Sequence, residues 1–148
     1  MEWHLFTIGK PSLSYARDGY ETYAKRIQRW ARIDHQPLRK SQQIEESNQL
    51  LSKSTGMLRI ALDERGESLT TRQWSERIRD LHDRNVGSRR FAFLVGGADG
   101  HTEELCQSAD AVWSLSSLTL QHELALVVLA EQIYRVHSLW EGMPYHRD

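Results

Sequence analysis

The spacing of hydrophobic and polar residues changes repeatedly along the 148-residue chain, from short apolar runs to helical periods and back. Apolar runs bounded by turn residues predict strands over residues 3–8, 32–38, 57–63, 90–95 and 111–114. Apolar residues at helical spacing predict helices between these strands and after the last one. We expect the helices over residues 14–30, 41–53, 70–81, 103–109 and 121–140.

This alternation predicts a single α/β domain over residues 1–148, with a mainly parallel sheet and helices on both faces. Ser14 is expected to cap the first helix. The third strand is expected to end at Leu62-Asp63. In the second helix, we expect the apolar residues, Ile44 among them, to lie on one side.

The last predicted helix is apolar on every side over residues 124–130, which read Leu-Ala-Leu-Val-Val-Leu-Ala. A helix of this kind must be buried all round, and a domain of this size has little material to enclose it. We therefore expect one face on the sheet and another on a partner subunit, as in a two-fold homodimer. The alternative is a helix that its own domain encloses completely.

Composition narrows the setting of the protein. No apolar run approaches the roughly 18 residues that a transmembrane helix needs, and the first residues lack the pattern of a signal peptide. The single cysteine, Cys106, excludes an internal disulfide and fits a reducing compartment. We therefore expect a cytoplasmic protein that has no membrane partner.

The net charge of −1 conceals an uneven distribution of charge. Residues 1–40 hold eight Lys or Arg against four Asp or Glu, whereas residues 101–148 hold two against seven. The amino-terminal excess includes four cations within residues 25–32, followed by Arg39 and Lys40. Two interpretations stay open for these cations, which are a solvated helix face and a footprint for phosphate groups.

A glycine-rich loop over residues 96–100, Gly-Gly-Ala-Asp-Gly, follows the fourth strand. Such a loop is either plain turn chemistry or a ligand site at the carboxyl edge of the sheet. Loops after neighbouring parallel strands share one edge, so we expect Leu62, the glycine loop and segment 113–122 to converge. Apolar side chains beside backbone groups suit an adenine ring, and the chain has neither a Gly-x-Gly-x-x-Gly nor a Gly-Lys-Ser/Thr motif.

These motifs, in this order, resemble the family of ribosomal large-subunit RNA pseudouridine N3-methyltransferases, which belongs to the knotted SPOUT methyltransferases. The resemblance covers essentially the whole chain, from the Ile8-Gly9-Lys10 turn onward. Its most specific segments are Val95-Gly96-Gly97, Trp113-Ser114-Leu115-Ser116 with Leu118-Thr119-Leu120 and His122, Glu131-Gln132-Ile133-Tyr134-Arg135, and Pro144-Tyr145-His146-Arg147.

The resemblance implies a deep trefoil knot in the C-terminal half and a dimer in which the tail of one subunit reaches the active site of the other. It implies methyl transfer from S-adenosylmethionine to N3 of a pseudouridine in ribosomal RNA, on assembled ribosomes and without a metal. The residues expected to hold the cofactor are Leu62, Gly96, Gly97, Leu115, Ser116, Ser117, Leu118, Thr119 and Leu120. The residues expected to assist the reaction are His122, Tyr145, His146 and Arg147.

Different roles are expected of these last residues. His122 or His146 would accept or relay the N3 proton. Arg147 would hold a phosphate group or stabilise negative charge on the uracil oxygens.

Three positions depart from the usual pattern of that family. Ala98-Asp99 stands where the family usually has Pro-Glu, Gln121 where Pro is common, and Leu126 where Arg is common. The alternative function is therefore a noncatalytic or retargeted knotted relative that binds RNA or the ribosome. A flavodoxin-like domain for a small ligand is a third interpretation.

Overall fold

The computed structural model describes residues 1–148, in which five strands alternate with five helices. The strands are β1 (Glu2–Ile8), β2 (Arg32–Leu38), β3 (Leu58–Ser68), β4 (Arg90–Val95) and β5 (Ala111–Ser114). The helices are α1 (Ser14–Ile27), α2 (Gln43–Lys53), α3 (Thr71–Arg84), α4 (Glu103–Ser108) and α5 (His122–Trp140). None of the helices is long and apolar enough to cross a lipid bilayer.

The five strands form one parallel sheet in the order β2-β1-β4-β3-β5. Parallel neighbours need crossover connections, and here the helices provide them. The carboxyl ends of all strands therefore meet at one edge of the sheet. At that edge β4, β3 and β5 are consecutive, so the segments that follow them are neighbours in space.

Helices cover both faces of the sheet, because successive strand residues point to opposite sides. Trp3, Leu5 and Phe93 are fully buried in the cluster that contains residues of α1, α3 and α5. Phe6 and Leu94 lie in a second cluster with residues of α2 and α4. The predicted α/β architecture, with a parallel sheet between two layers of helices, is confirmed.

The start of α1 differs from the prediction. Ser14 is the first helical residue, and the N-cap position belongs to Leu13, whose side chain makes no capping hydrogen bond. A carboxylate from α5 holds the residues just before the helix, because Glu123 accepts hydrogen bonds from the backbone N–H groups of Ser12 (2.7 Å) and Leu13 (3.1 Å). The helix ends at Ile27, before the predicted end at residue 30.

The helix starts that depend on nearby residues are predicted better than those that depend on distant ones. The helix α3 begins beside Thr70, close to its predicted start, and Thr70 caps it through a reciprocal capping box with Gln73. In α2, the Ile44 side chain is 66% exposed, whereas Glu46 and Ser47 are buried. Glu46 accepts from the N–H of Ser41, five residues away, and Ser47 accepts from the N–H of Thr102, 55 residues away.

β3 continues past its predicted end at Asp63 and, after a register shift, pairs with β5 again, with Glu67 opposite Trp113. Gly66 lies within this register shift and approaches β5 closely. A Cβ atom at Gly66 would be only 2.7 Å from backbone atoms of Val112 and Trp113. Only a residue without a side chain permits this approach, so the close approach depends on glycine.

α5 packs against α1 and α3, and its residues belong to the larger core cluster. Leu129 and Ile133 are fully buried. Leu124 and Val128, on another side of the helix, stay partly exposed. The protomer therefore encloses only part of this apolar helix.

Candidate functional site

A cavity of about 650 Å³ opens at the carboxyl edge of the sheet, where β3, β4 and β5 end. Its volume is that of an ordinary small-molecule site, roughly 300–1,000 Å³. Three segments form its wall, which are residues 62–65, residues 95–101 and residues 114–125. Of the residues predicted to hold a cofactor, eight line it: Leu62, Gly96, Gly97, Leu115, Ser116, Leu118, Thr119 and Leu120.

The glycine loop approaches its neighbours so closely that side chains would not fit. A Cβ atom at Gly97 would be 2.8 Å from Oε1 of the buried Glu46, and one at Gly96 would be 3.1 Å from the Gly100 backbone. Gly100 has a φ of 70°, which favours glycine, and its N–H donates to the Gly97 carbonyl at 3.0 Å. The sequence pattern of three glycines thus follows from packing and from one left-handed residue.

Helix α2 holds the glycine loop from the side. The Gln43 side-chain amide donates to the carbonyl oxygens of Asp99 (2.8 Å) and His101 (3.3 Å). The Ser47 hydroxyl accepts from the backbone N–H of Thr102 at 3.1 Å. Gln43 also lines the cavity, so it connects the loop's position to the shape of the site. No sequence motif marks it, because its partners lie 56 and 58 residues away.

His101 is a buried residue of the cavity wall that sequence reasoning missed. Its Nε2 lies 2.9 Å from the Leu94 carbonyl oxygen, which requires a proton on Nε2. Nδ1 is buried and has no hydrogen-bond partner. Burial lowers the pKa of the imidazole, so the ring is neutral near pH 7. Its position directly after Gly100 was the only signal that the sequence offered.

An ion pair lies on the β3 side of the cavity. Arg65 donates to both carboxylate oxygens of Asp63 at 2.9 and 3.0 Å. The hydrogen bonds from Arg65 lower the pKa of Asp63, so that its carboxylate stays charged. Cys106 is close to this pair, and its thiol pKa is raised mainly by burial. The pair fixes the conformation of β3 just before the close approach of Gly66 to β5.

The Ser/Leu segment folds into a short turn that leaves an apolar side chain in solvent. The Ser114 hydroxyl donates to the Ser116 carbonyl, and the Leu118 N–H donates to the Ser116 hydroxyl, both at 2.9 Å. Leu118 is 71% exposed although it lines the cavity. Ser117, which was also predicted to hold the cofactor, is exposed and does not line the cavity.

His122 is the first residue of α5 and borders two cavities. It lines the large cavity and also a cavity of about 50 Å³ beside the ends of β1 and β2. Gln121 caps the helix by accepting from the N–H groups of Glu123 and Leu124, so the His122 side chain is not needed for that purpose. Hydrogen bonds from Leu13 and Ser12 lower the pKa of Glu123 and hold the helix start in place.

The tail does not reach the cavity of its own protomer. The Tyr145 hydroxyl donates to Glu131 on α5 at 3.0 Å, and burial raises its pKa. His146 bonds to Asp148 at 2.9 Å and lines a different cavity, next to α3. Arg147 is exposed. Within one chain, these three residues are therefore not brought together with His122.

Two of the family departures have structural roles of their own. Gln121 replaces the common proline with a side-chain cap for α5. Leu126 is buried in the main core and borders the small cavity. The Ala98-Asp99 pair is exposed at the tip of the glycine loop.

Comparison with known proteins agrees with this geometry. A family model described as "Predicted SPOUT methyltransferase" matches residues 1–146. The ribosomal RNA large subunit methyltransferase H of Thermus thermophilus is 46% identical over 147 residues, covering 99% of each chain. The protein of the same name from Deinococcus radiodurans is 38% identical over 149 residues, again covering 99% of each chain. The chain therefore belongs to the SPOUT methyltransferase family.

Proposed function

We propose that this protein transfers a methyl group from S-adenosylmethionine to N3 of a pseudouridine in large-subunit ribosomal RNA. The observation that carries the proposal is the cavity at the carboxyl edge of β3, β4 and β5, whose wall contains the motifs that resemble this family. The full-length relatives named ribosomal RNA large subunit methyltransferase H support the same substrate class. A ribosomal substrate and the free thiol of Cys106 are in keeping with a cytoplasmic location.

The residues of the cavity fit the proposed cofactor. Leu62, Leu115, Leu118 and Leu120 offer apolar contact to a flat ring. Gly96 and Gly97 leave space at the backbone that a side chain would fill. The unpartnered Nδ1 of His101 is an acceptor in need of a donor. When bound there, the cofactor would supply an activated methyl group.

The protein's own task is to hold the nucleotide in line with that methyl group and to remove the N3 proton. His122 borders the cavity from an exposed position. We assign to it the acceptance of the proton. His146 would relay the proton, and Arg147 would stabilise the negative charge that develops on the uracil oxygens. Tyr145 would position the tail beside them.

The tail can perform these roles only in the cavity of a second subunit, because in its own chain it packs on α5 and α3. We therefore propose a homodimer with composite active sites. The partly exposed Leu124 and Val128 of α5 and the 71% exposed Leu118 provide apolar surface for such an interface.

We also propose that the C-terminal half forms a deep trefoil knot. Support comes from the close approach of Gly66 to the backbone of β5. It also comes from the sheet order, in which β5 pairs with β3 on the side away from β4. The two segments that approach each other adjoin residues 62–65 and 114–116 of the cavity wall, so a knot would hold the site rigid.

Methyl transfer to ribosomes provides the test. Single-turnover transfer is measured with ribosomes from cells that lack the protein, and mass spectrometry of their RNA locates the mark. We expect transfer by the wild type, and a loss of at least about 100-fold in His146→Ala and Arg147→Ala, since charge-stabilising and proton-transfer groups contribute factors of this order. Glu141→Ala, an exposed change just before the tail, is the matched control.

Three results would contradict the proposal or a part of it. Wild-type rates in both tail variants would refute the role of the tail. Cofactor binding without transfer would instead favour the retargeted relative, and absence of binding at millimolar cofactor would favour the noncatalytic one.

Mixing two inactive variants tests the composite site separately. His122→Ala and Arg147→Ala each spoil both sites of a homodimer, but a mixed dimer retains one intact site. After exchange of subunits, activity should return to about a quarter of the wild-type level, because half of the dimers are mixed. No recovery in demonstrably mixed dimers would exclude a site shared between subunits.

A further inference from the structure

Four cations emerge together at the carboxyl edge of the sheet, beside the cavity. Lys10 follows β1, and Arg39 and Lys40 follow β2. These chain ends are neighbours, because Ile8 is paired with Leu38 and the Gly9 N–H donates to the Leu38 carbonyl at 2.8 Å. Arg17, in the first turns of α1, lines the small cavity next to them. We call Lys10, Arg17, Arg39 and Lys40 the edge patch.

The cations of the edge patch are free to bind a ligand. All four side chains are exposed, and none forms an ion pair. Two carboxylates of this region already have partners. Glu123 accepts from Ser12 and Leu13, and Glu46 accepts from the Ser41 N–H at 2.9 Å. Unpaired Lys and Arg side chains grouped on one surface are the usual footprint of a nucleic-acid backbone.

The edge patch also adjoins the proposed reaction site. Arg17 and His122 line the same small cavity, and His122 lines the large cavity as well. The small cavity, at about 50 Å³, has no room for a nucleobase. A target base would therefore enter the large cavity past His122, and the strand on that side of the base would pass over the edge patch.

The other basic group of the chain lies far from the cavity. Lys25, Arg26 and Arg29 are at the end of α1, near the amino ends of the strands. A seven-residue strand separates the two edges by about 23 Å. Arg26 and Arg29 also stack on aromatic rings, 5.6 Å from the ring centre of Tyr134 and 5.2 Å from that of Trp30. Of the two interpretations of the amino-terminal cations, these residues fit the helix face rather than the footprint for phosphate groups.

We propose that the edge patch binds the phosphates of the single-stranded RNA segment that flanks the target nucleotide. The inference rests on the proposed function, since it assigns a contact surface to the same RNA substrate. Lys and Arg contacts to phosphates carry no base preference, and they position a strand whose base is read elsewhere. RNA modified at one base is recognised where the strand is single and its base can be turned outward.

The test compares two variants with equal loss of charge. The patch variant combines K10Q, R17Q, R39Q and K40Q. The control variant combines K25Q, R32Q, R84Q and R89Q, which are exposed cations at or beyond the amino edge of the sheet or in loops. Methyl transfer to assembled ribosomes whose large subunits lack the mark is measured from 50 to 200 mM KCl, with S-adenosylmethionine affinity measured by calorimetry.

We expect the patch variant to raise KM for these ribosomes at least about 30-fold, while kcat and cofactor affinity stay within about threefold of wild type. The salt dependence should weaken, by about 0.7 in the slope of log affinity on log salt for each phosphate that the variant no longer binds. The control variant should change KM less than about threefold. Equal KM values and salt slopes in the two variants would overturn the inference.

A failure of the proposed function has a different signature. If the wild type transfers no methyl group to these ribosomes, the same variants are compared by filter binding to large-subunit ribosomal RNA. Weaker binding by the patch variant alone would still support the edge patch. Equal binding by both variants would refute it.

Discussion

Replacing Gly66 by alanine tests the close approach of β3 to β5. The φ angle of Gly66 lies outside the left-handed region, so its backbone conformation suits alanine. In open space the change would stabilise the fold by about 0.4–1 kcal/mol, because alanine restricts the unfolded chain. The new Cβ, however, would lie 2.7 Å from three backbone atoms of Val112 and Trp113. Contact, rather than conformation, therefore decides the sign of the effect.

The expected loss of stability depends on which atoms must move to make room for the new Cβ. Overpacking usually costs about 1–3 kcal/mol, and backbone atoms cannot relieve it by changing rotamer. We therefore expect a loss near the upper limit, about 3 kcal/mol, and a fall in Tm of about 6–12 °C for a domain of this size. Thermal unfolding followed by circular dichroism measures it directly.

Gly19→Ala is the matched control, since its Cβ would meet only the Val127 methyl groups, at 3.0 and 3.3 Å. A valine side chain can shift, and alanine favours the helix by about 0.5–1 kcal/mol, so the change in Tm should be small. An unchanged or higher Tm in Gly66→Ala would refute the close approach of β3 to β5, and with it a main support for the proposed knot.

Three further predictions concern the loop, the helix start and the core. Gln43→Ala removes two hydrogen bonds to the glycine loop. It should weaken cofactor binding about 5–10-fold in calorimetry, as expected for a loss of about 1 kcal/mol. Unchanged affinity would mean that α2 does not position the loop. Because hydrogen bonds lower the pKa of Glu123, its carboxylate stabilises the fold above the pKa of about 4.3 that it has in the unfolded chain. The Tm of wild type should exceed that of Glu123→Gln, and this difference should shrink as the pH falls through and below that value. A constant difference would mean that the Glu123 carboxylate does not stabilise the start of α1. Burial lowers the pKa of His137 to about 4, and its Nε2 accepts from the Trp3 indole at 2.9 Å. Wild-type stability should therefore fall between about pH 6.5 and pH 4, and His137→Gln should lessen that fall in thermal melts at several pH values; an identical profile would assign it to other groups.

The sequence predicts the elements whose causes are local. The start of α3 is predicted at residue 70, and it is fixed locally by the capping box of Thr70 and Gln73, three residues apart. The meeting of the loops after β3, β4 and β5 follows from parallel strands sharing one edge.

Features with distant causes are not predictable in this way. Gly66 is a glycine because of residues 112 and 113. Ile44 is exposed while Glu46 is buried, because Glu46 supports the loop of residues 96–100. The tail packs on α5 through Glu131, a contact that no local pattern indicates.

The strand order also constrains how the chain matures during synthesis. β1 is the first strand to leave the ribosome, but one of its two neighbours, β4, begins only at Arg90. Until then Trp3 and Leu5 lack the strand beside which they are buried. The nascent chain therefore carries an unsatisfied strand edge through more than half of its translation, a state that favours association with other chains. Segment 114–125, the last part of the cavity wall, is made later still, so the protein cannot hold its cofactor before its fold is nearly complete.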